Sequence, residues 1–127
     1  MLAEAPHQSL LVLIAGPYRS GTGDDPAKLA ANVDAMNRVA LEVFLAGHTP
    51  VTGEALALPL VEFAGSEHVG DAVFDGVFHP LARRLLAHCD AVLRTGGPSA
   101  GADEMVELAR AAGKLVVTSV EELPPSA

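Results

Sequence analysis

Two loops rich in small and polar residues carry the side chains best suited to chemistry in this sequence. Residues 95–105 join an apolar, strand-like run to an amphipathic, helix-like run, and they include Ser99, Asp103 and Glu104. In a parallel sheet such a junction binds ligands, because the N–H groups at the start of the helix are unpaired. The 95–105 loop is therefore predicted to form part of a binding site that favours an anion.

A second loop with similar chemistry covers residues 16–23, directly after the first apolar run. Gly16 and Gly21 allow a ligand to approach the backbone, while Arg19 and Ser20 offer donors suited to phosphate or carboxylate. Ordinary turn chemistry for the glycines, with Arg19 as a surface charge, is the alternative for this loop.

Both loops are predicted to meet at one edge of the sheet. The 95–105 loop adds Ser99 and the N–H groups around Gly101 to the donors of the 16–23 loop, and together they predict a phosphate-sized pocket. Glu54 follows the second apolar run. It is interpreted as a solvated loop acid, with a place in the same crevice as the alternative.

Apolar runs that alternate with amphipathic segments predict the elements that position these loops. Asp25 and Pro26 mark the start of a long helix that ends at Gly47, and Pro50 marks the second strand as an edge strand. Pro59 leaves the segment 54–63 ambiguous between a helix and short turns. Strands are predicted over residues 10–15, 48–52, 90–93 and 114–118, and further helices over residues 71–88, with a kink or break at Pro80, and 104–112.

This alternation defines the predicted fold class. Units of strand, helix and strand cross over with a right hand and build a parallel sheet that is covered on both faces. The sequence therefore predicts an α/β fold, a Rossmann-like or flavodoxin-like three-layer sandwich with a four- or five-stranded parallel sheet, in a single domain over residues 1–127.

Composition and charge argue against several partners. The chain has 16 Asp and Glu residues against 8 Lys and Arg residues, and its net charge of -8 would repel nucleic acid. The longest apolar run, residues 10–15, is too short to span a bilayer, so we expect a cytoplasmic protein with no membrane partner. The five histidines form no metal-binding pattern and Cys89 is expected in the core, so we expect no metal and no cofactor.

The best-known phosphate-binding signatures do not occur in this sequence. Residues 16–23 do not form G-x-G-x-x-G, and G-x-x-x-x-G-K-[ST] is missing. A receiver domain would need paired acids after the first strand and an Asp after the third, where this chain has Gly16 and Thr95. A dinucleotide oxidoreductase, a P-loop hydrolase and a phosphoacceptor domain are therefore disfavoured.

A set of short segments extends in order from the first predicted strand to the fourth. They are IAGPYRSG at 14–21, Asn32, AGHTPV at 46–51, CDAVLR at 89–94, SAGADE at 99–104, and Ala109 followed by Gly113 and Lys114. As a set they resemble the nucleoside 2-deoxyribosyltransferase-like superfamily, particularly its small bacterial members.

The resemblance implies a flavodoxin-like enzyme, usually a dimer or larger homo-oligomer. Its substrate would be a nucleoside or a nucleoside 5′-monophosphate, whose N-glycosidic bond it cleaves or transfers. The resemblance further implies that Glu104 attacks the anomeric carbon and that Tyr18 orients this carboxylate. Asp75 or Asp71 would serve the leaving base. The residues implied to hold the 5′ end of the ligand are Gly16, Arg19, Ser20, Gly21 and Ser99.

One position departs from the family pattern. The family places its nucleophile four residues before a small residue, here Ala109, so the expected position falls on Met105 rather than Glu104. Asp103 and Glu104 also suit the first turn of a helix, where acids interact favourably with the helix dipole. A catalytically silent nucleotide-binding or sensing module with the same fold is therefore the alternative, and a structural oligomer with a vestigial crevice is a third possibility.

Overall fold

Four parallel strands form the centre of the fold in a computed structural model, which describes residues 9–125. The strands are β1 (Leu11–Ala15), β2 (Thr49–Thr52), β3 (Ala91–Arg94) and β4 (Leu115–Val117), and their order across the sheet is β2-β1-β3-β4. β1 pairs with β2 on one side and with β3 on the other. The sheet is therefore four-stranded and all-parallel, as predicted.

Helices cover both faces of this sheet and complete three layers. They are α1 (Pro26–Leu45), α2 (Gly53–Phe63), α3 (Ala72–His88) and α4 (Ala100–Ala111), with a 3₁₀ turn at Val120–Glu122. Successive residues of a strand point to opposite faces. Val12 and Ile14 of β1 accordingly pack on the α1 side, whereas Leu13 and Ala15 pack on the side of α3 and α4. The predicted Rossmann-like or flavodoxin-like three-layer sandwich is confirmed.

Two helices contain a proline in their interior. Pro59 in α2 and Pro80 in α3 each lack the N–H that would bond to the carbonyl four residues earlier. Both helices continue past the proline because later residues are held by packing: Val61 and Leu86 are buried. The segment that the sequence left ambiguous is therefore a helix, and α3 is not divided at Pro80.

α4 begins four residues before its predicted start at residue 104. Ser99 is its N-cap, and the hydroxyl of Ser99 accepts a hydrogen bond from the Ala102 N–H at 3.1 Å. Gly101 lies in the first turn. Because glycine is a poor helix former, the sequence pattern does not indicate that the helix begins here. Ser99 and Gly101 thus belong to the start of a helix rather than to an open loop.

Two smaller expectations are also confirmed. β2 is an edge strand, which accommodates Pro50. Cys89 is 2% exposed, and its thiol donates to the Leu85 carbonyl at 3.3 Å. In the part of the chain that the structure describes, none of the helices has the length and apolar character needed to cross a membrane.

The buried side chain of His48, next to the edge strand β2, forms hydrogen bonds with residues near both ends of the described chain. His48 is 2% exposed. Its Nδ1 accepts a hydrogen bond from the Leu10 N–H at 3.1 Å, and its Nε2 lies 2.7 Å from the Pro124 carbonyl oxygen. Because Nδ1 accepts, the ring is neutral and Nε2–H is the donor to Pro124. One side chain therefore satisfies a backbone donor and a backbone acceptor that are far apart in sequence.

We expect His48→Ala to lower the free energy of unfolding by about 3 kcal/mol, because it leaves a cavity and two part-buried backbone groups without partners. Urea unfolding followed by circular dichroism measures the loss. His88→Ala is the control, because His88 is exposed at the end of α3 and its removal should cost less than about 1 kcal/mol. Equal losses in the two variants would contradict the anchoring role of His48.

Candidate functional site

One pocket opens at the carboxyl end of β1, where the two candidate loops meet. It has a cavity volume of about 150 Å³, and it is lined by β1, the loop after β1, the start of α2, α3 and the start of α4. Two of the nine site residues predicted from the sequence, Gly21 and Asp75, do not line this pocket. The other seven do: Gly16, Tyr18, Arg19, Ser20, Ser99, Gly101 and Glu104.

Stacked aromatic rings form a wall of the pocket. The ring centroid of Phe78 lies 5.7 Å from that of Tyr18, with the planes 18° apart, and 4.9 Å from that of Phe74, with the planes 15° apart. The chain has one Tyr and four Phe, so three of its five aromatic side chains line this pocket. Apolar aromatic side chains of this kind can pack against a planar ring of a ligand.

Glu54 is a buried acid of the pocket. It lies in the first turn of α2 and is 8% exposed. Burial raises the pKa of its carboxyl to about 7, an effect that its own backbone N–H partly offsets. The interpretation of Glu54 as a solvated loop acid is therefore wrong. The Thr52 hydroxyl caps α2 by accepting from the Ala55 N–H at 3.1 Å, and the capped helix carries Glu54 into the pocket.

Glu104 lines the same pocket from the second turn of α4. Its Oε2 accepts a hydrogen bond from Arg83 Nε at 3.0 Å, and both side chains are partly exposed. The next residue, Met105, is 8% exposed, belongs to the core beneath α4 and also lines the pocket. Glu104 and Met105, the two candidate positions for the nucleophile, therefore both line the pocket. Of the two, only Glu104 carries a carboxylate.

Tyr18, which the resemblance implies to orient Glu104, is held through its backbone. The side-chain amide of Asn32 in α1 donates to the Tyr18 carbonyl at 2.8 Å. Burial, with smaller contributions from the Glu54 and Asp24 carboxylates, raises the pKa of the Tyr18 hydroxyl. The phenol therefore stays protonated near neutral pH. Within residues 9–125 no hydrogen bond joins Tyr18 to Glu104.

Arg19 lines the pocket, and its guanidinium forms an ion pair with the Asp24 carboxylate. Its Nε and Nη2 donate to the two Asp24 oxygens at 2.9 and 2.8 Å. The Thr22 hydroxyl holds this turn, because it donates to the Arg19 carbonyl at 2.6 Å and accepts from the Asp24 N–H at 3.0 Å. Gly70 lies against the guanidinium so closely that a Cβ there would collide with it. Arg19 is thus fixed in position, and Asp24 offsets its charge.

The glycines of the 16–23 loop have structural tasks. A Cβ on Gly16 would lie 3.1 Å from the Thr95 carbonyl oxygen, so only glycine packs easily where β1 ends beside the loop after β3. Gly21 has a φ of +73° and belongs to the turn after Arg19. Ser20 is exposed at the pocket. Gly16 and Ser20 are therefore near enough to touch a ligand, whereas Gly21 shapes the loop.

The two acids that the resemblance assigns to the leaving base lie outside the pocket lining. The Asp75 carboxylate is 3.6 Å from His79 Nε2 and half exposed. Asp71 caps α3 by accepting from three backbone N–H groups at 2.8 to 3.1 Å. These bonds, the Phe74 N–H first among them, hold the pKa of the Asp71 carboxyl well below its usual range. Asp71 is thus a helix cap.

Three residues of the site were not predicted as site residues from the sequence: Phe74, Phe78 and Arg83. Phe74 and Phe78 did carry a signal, since they lie four residues apart on one helix face in a chain with few aromatics. Glu54 was considered for the crevice because it follows the second strand, but its burial was not predicted. The pairing of Arg83 with Glu104 depends on how α3 packs beside α4, which no local pattern reveals.

Neither a known protein-family model nor a curated protein matches this chain. Among residues 9–125 no group of three or more His, Cys, Asp or Glu side chains is arranged to hold a metal ion. The molecule is a flavodoxin-like α/β protein whose pocket lies at the carboxyl edge of the sheet. That pocket can take a planar ring against its aromatic wall and present two carboxyl groups, one buried and one partly exposed, to the same ligand.

We expect Asp24→Asn to make Arg19 available to an anionic ligand. Affinity for ribose 5-phosphate should rise about 3- to 10-fold at low salt, because the phosphate no longer competes with a bound carboxylate. Asn tolerates the φ of 60° at this position, so the loop keeps its conformation. Isothermal titration calorimetry measures the dissociation constant.

Asp25→Asn is the matched control for this change. It removes the same charge from the next residue, which takes no part in the ion pair with Arg19. An equal rise in affinity in both variants would show that net charge alone governs binding, and would contradict the masking of Arg19 by Asp24.

Proposed function

We propose that the protein is a member of the nucleoside 2-deoxyribosyltransferase-like superfamily that cleaves or transfers the N-glycosidic bond of a nucleoside or a nucleoside 5′-monophosphate. The observation that carries this proposal is a stacked aromatic wall and the Glu104 carboxylate in one pocket. The wall suits a planar nucleobase, and carboxylates are the groups with which enzymes attack an anomeric carbon.

In the proposed reaction Glu104 is the nucleophile. One of its oxygens attacks the anomeric carbon while the bond to the base nitrogen breaks, and the electron pair of that bond leaves with the base, which takes up a proton. Water then attacks the anomeric carbon and releases the sugar and the free carboxylate. In a transfer reaction a second base replaces water. The negative carboxylate stabilises the oxocarbenium-like transition state of both steps.

Arg83 supports this role as a positioning residue. It holds Oε2 of Glu104 at 3.0 Å, and Arg83 itself does not line the pocket. The ion pair therefore restricts the rotamers of Glu104 without occupying the space of the ligand. Preorganisation of this kind lets a carboxylate meet the reacting carbon without reorganising first.

The loop after β1 and Ser99 are proposed to hold the 5′ end of the ligand. Arg19, Ser20 and Ser99 all line the pocket. Because Asp24 already occupies the guanidinium of Arg19, the pocket has little unpaired positive charge for a phosphate. This favours an uncharged nucleoside over its 5′-monophosphate as the substrate.

We expect the wild-type protein to release free base from at least one member of a panel of nucleosides and 5′-monophosphates, measured by liquid chromatography. Glu104→Ala should lower kcat at least about 1000-fold, since the variant lacks the carboxylate that attacks the anomeric carbon. Glu107→Ala is the matched control, because Glu107 is exposed on the same helix and lies outside the pocket.

Base release that persists in the Glu104→Ala variant would contradict the proposed mechanism. If the wild-type protein releases no base but nucleosides raise its melting temperature, the chain is instead a silent binding module with the same fold. If nucleosides neither react nor stabilise the protein, the proposed function is wrong.

A homo-oligomer is also part of the proposal. α1 and α2 expose large apolar side chains, and such surface is commonly covered in an assembly. The most exposed of these side chains are Phe44 at 63%, Leu45 at 73% and Phe63 at 92%.

Light scattering after size exclusion should therefore give a mass of at least about 26 kDa, twice the 13.0 kDa of one chain. The reason is that covering these apolar side chains removes them from water. A single species at the mass of one chain, across micromolar concentrations, would contradict the oligomer.

A further inference from the structure

Glu54 lies in the pocket without a cationic partner. Among residues 9–125 it is the only carboxyl side chain that is buried, at 8% exposure. The salt bridges within the same part of the chain involve other acids. Ionisation of a buried carboxyl that no cation compensates is costly, and burial accordingly raises the pKa of Glu54 to about 7. Burial therefore favours the protonated form of Glu54.

The burial of Glu54 follows from how α2 docks. Thr52 ends β2 and caps α2, and Gly53 lies against α3, where a Cβ would be 3.8 Å from the Cβ of Ala82. Because α2 and α3 pack this closely, the first turn of α2 lines the pocket. A favourable interaction with the helix dipole needs only an exposed acid in the first turn, so the dipole does not account for the burial.

We propose that Glu54 is the general acid that protonates the departing nucleobase. The inference rests on the proposed function of this pocket. It gives to Glu54 the task that the family resemblance assigns to Asp75, which pairs with His79 and does not line the pocket.

The proton balance of the reaction closes with this assignment. The O–H of Glu54 donates its proton to a ring nitrogen of the base while the electron pair of the C1′–N bond moves onto the base. Glu104 bonds to the anomeric carbon in the same step. The Glu54 carboxylate then accepts a proton from the attacking water, or from an incoming base in transfer, and this regenerates the acid. No other reactant is needed.

Four other titratable side chains line the pocket around Glu54. Tyr18 and Arg19 come from the loop after β1, His79 from α3 and Glu104 from α4. Glu54 contributes to the raised pKa of Tyr18, which indicates that the two side chains are close enough to interact. One of these groups is a histidine, so a His79→Ala variant must accompany any pH profile.

The experiment compares two leaving groups. A purine nucleoside needs a proton on its base as the bond breaks, whereas an N7-methylated purine nucleoside already carries a positive charge and its base leaves without one. Glu54→Gln should lower kcat/KM at least about 100-fold for the unmethylated substrate and less than about 3-fold for the methylated one. Glu62→Gln, at an exposed position of the same helix, should change neither value.

Each other outcome overturns the assignment. Equal losses on both substrates would mean that Glu54 only shapes the pocket, and no loss on either would mean that another group donates the proton. If the wild-type protein releases base from neither substrate, the proposed function fails, and this inference fails with it. The first two results leave the proposed function standing, so the two failures are distinguishable.

A second measurement does not depend on turnover. The folded protein holds the Glu54 proton more tightly than the unfolded chain, whose carboxyl has the ordinary pKa of 4.5. Folding therefore becomes less favourable as pH rises from about 5 to 8, because ionisation is easier in the unfolded state. The melting temperature of the wild type should fall over this range relative to Glu54→Gln. A constant difference between the two proteins would overturn the protonated state of Glu54.

Discussion

The parallel pairing of β1 with both β2 and β3 is the constraint on which the site depends. Because the three strands run in one direction, their carboxyl ends align at Ala15, Thr52 and Arg94. Tyr18, Glu54 and Glu104 follow these strands in turn, and they reach one pocket although they are far apart in sequence. β1 keeps this central place because its apolar residues feed the core on both faces of the sheet.

Ion pairs between arginine and carboxylate hold side chains in the loop after β1, at the end of β3 and in α4. Arg83 holds Glu104, and Arg94 holds Asp103 while its Nη2 donates to the Gly97 carbonyl at 2.8 Å. Arg19 and Asp24 form a third pair. Exposed pairs of this kind add little to stability, yet two of them fix side chains that line the pocket, Arg19 and Glu104. Glu54 differs from these acids, because burial rather than a cation governs its protonation.

The fold was largely predictable because it follows from local patterns. The continuous apolar run of β1 and the alternation of strands with amphipathic helices point to a parallel sheet, and Pro50 points to an edge strand. The start of α4 was harder to predict, because Gly101 weakens the helical pattern just after the Ser99 cap. The path of α2 through Pro59 depends on packing against α3, which no local pattern contains.

The candidate site was predictable only in outline. The two glycine-containing loops indicated where a pocket would lie, and the family resemblance singled out Glu104 and Tyr18. The burial of Glu54 depends on the docking of two helices, and so does the contact of Arg83 with Glu104. Packing between helices therefore determines that Glu54 is buried and that Glu104 is paired with Arg83. Neither property can be predicted from a local sequence pattern.

The central claim, that Glu104 attacks the anomeric carbon, can be tested by mass spectrometry of the protein after incubation with a 2′-deoxy-2′-fluoro nucleoside. The fluorine slows the second step of the reaction, so the glycosyl-enzyme bond accumulates. We expect a mass increase equal to one fluorinated sugar residue, located on the peptide that contains Glu104. An adduct on a different residue, or release of base with no adduct at all, would contradict this account.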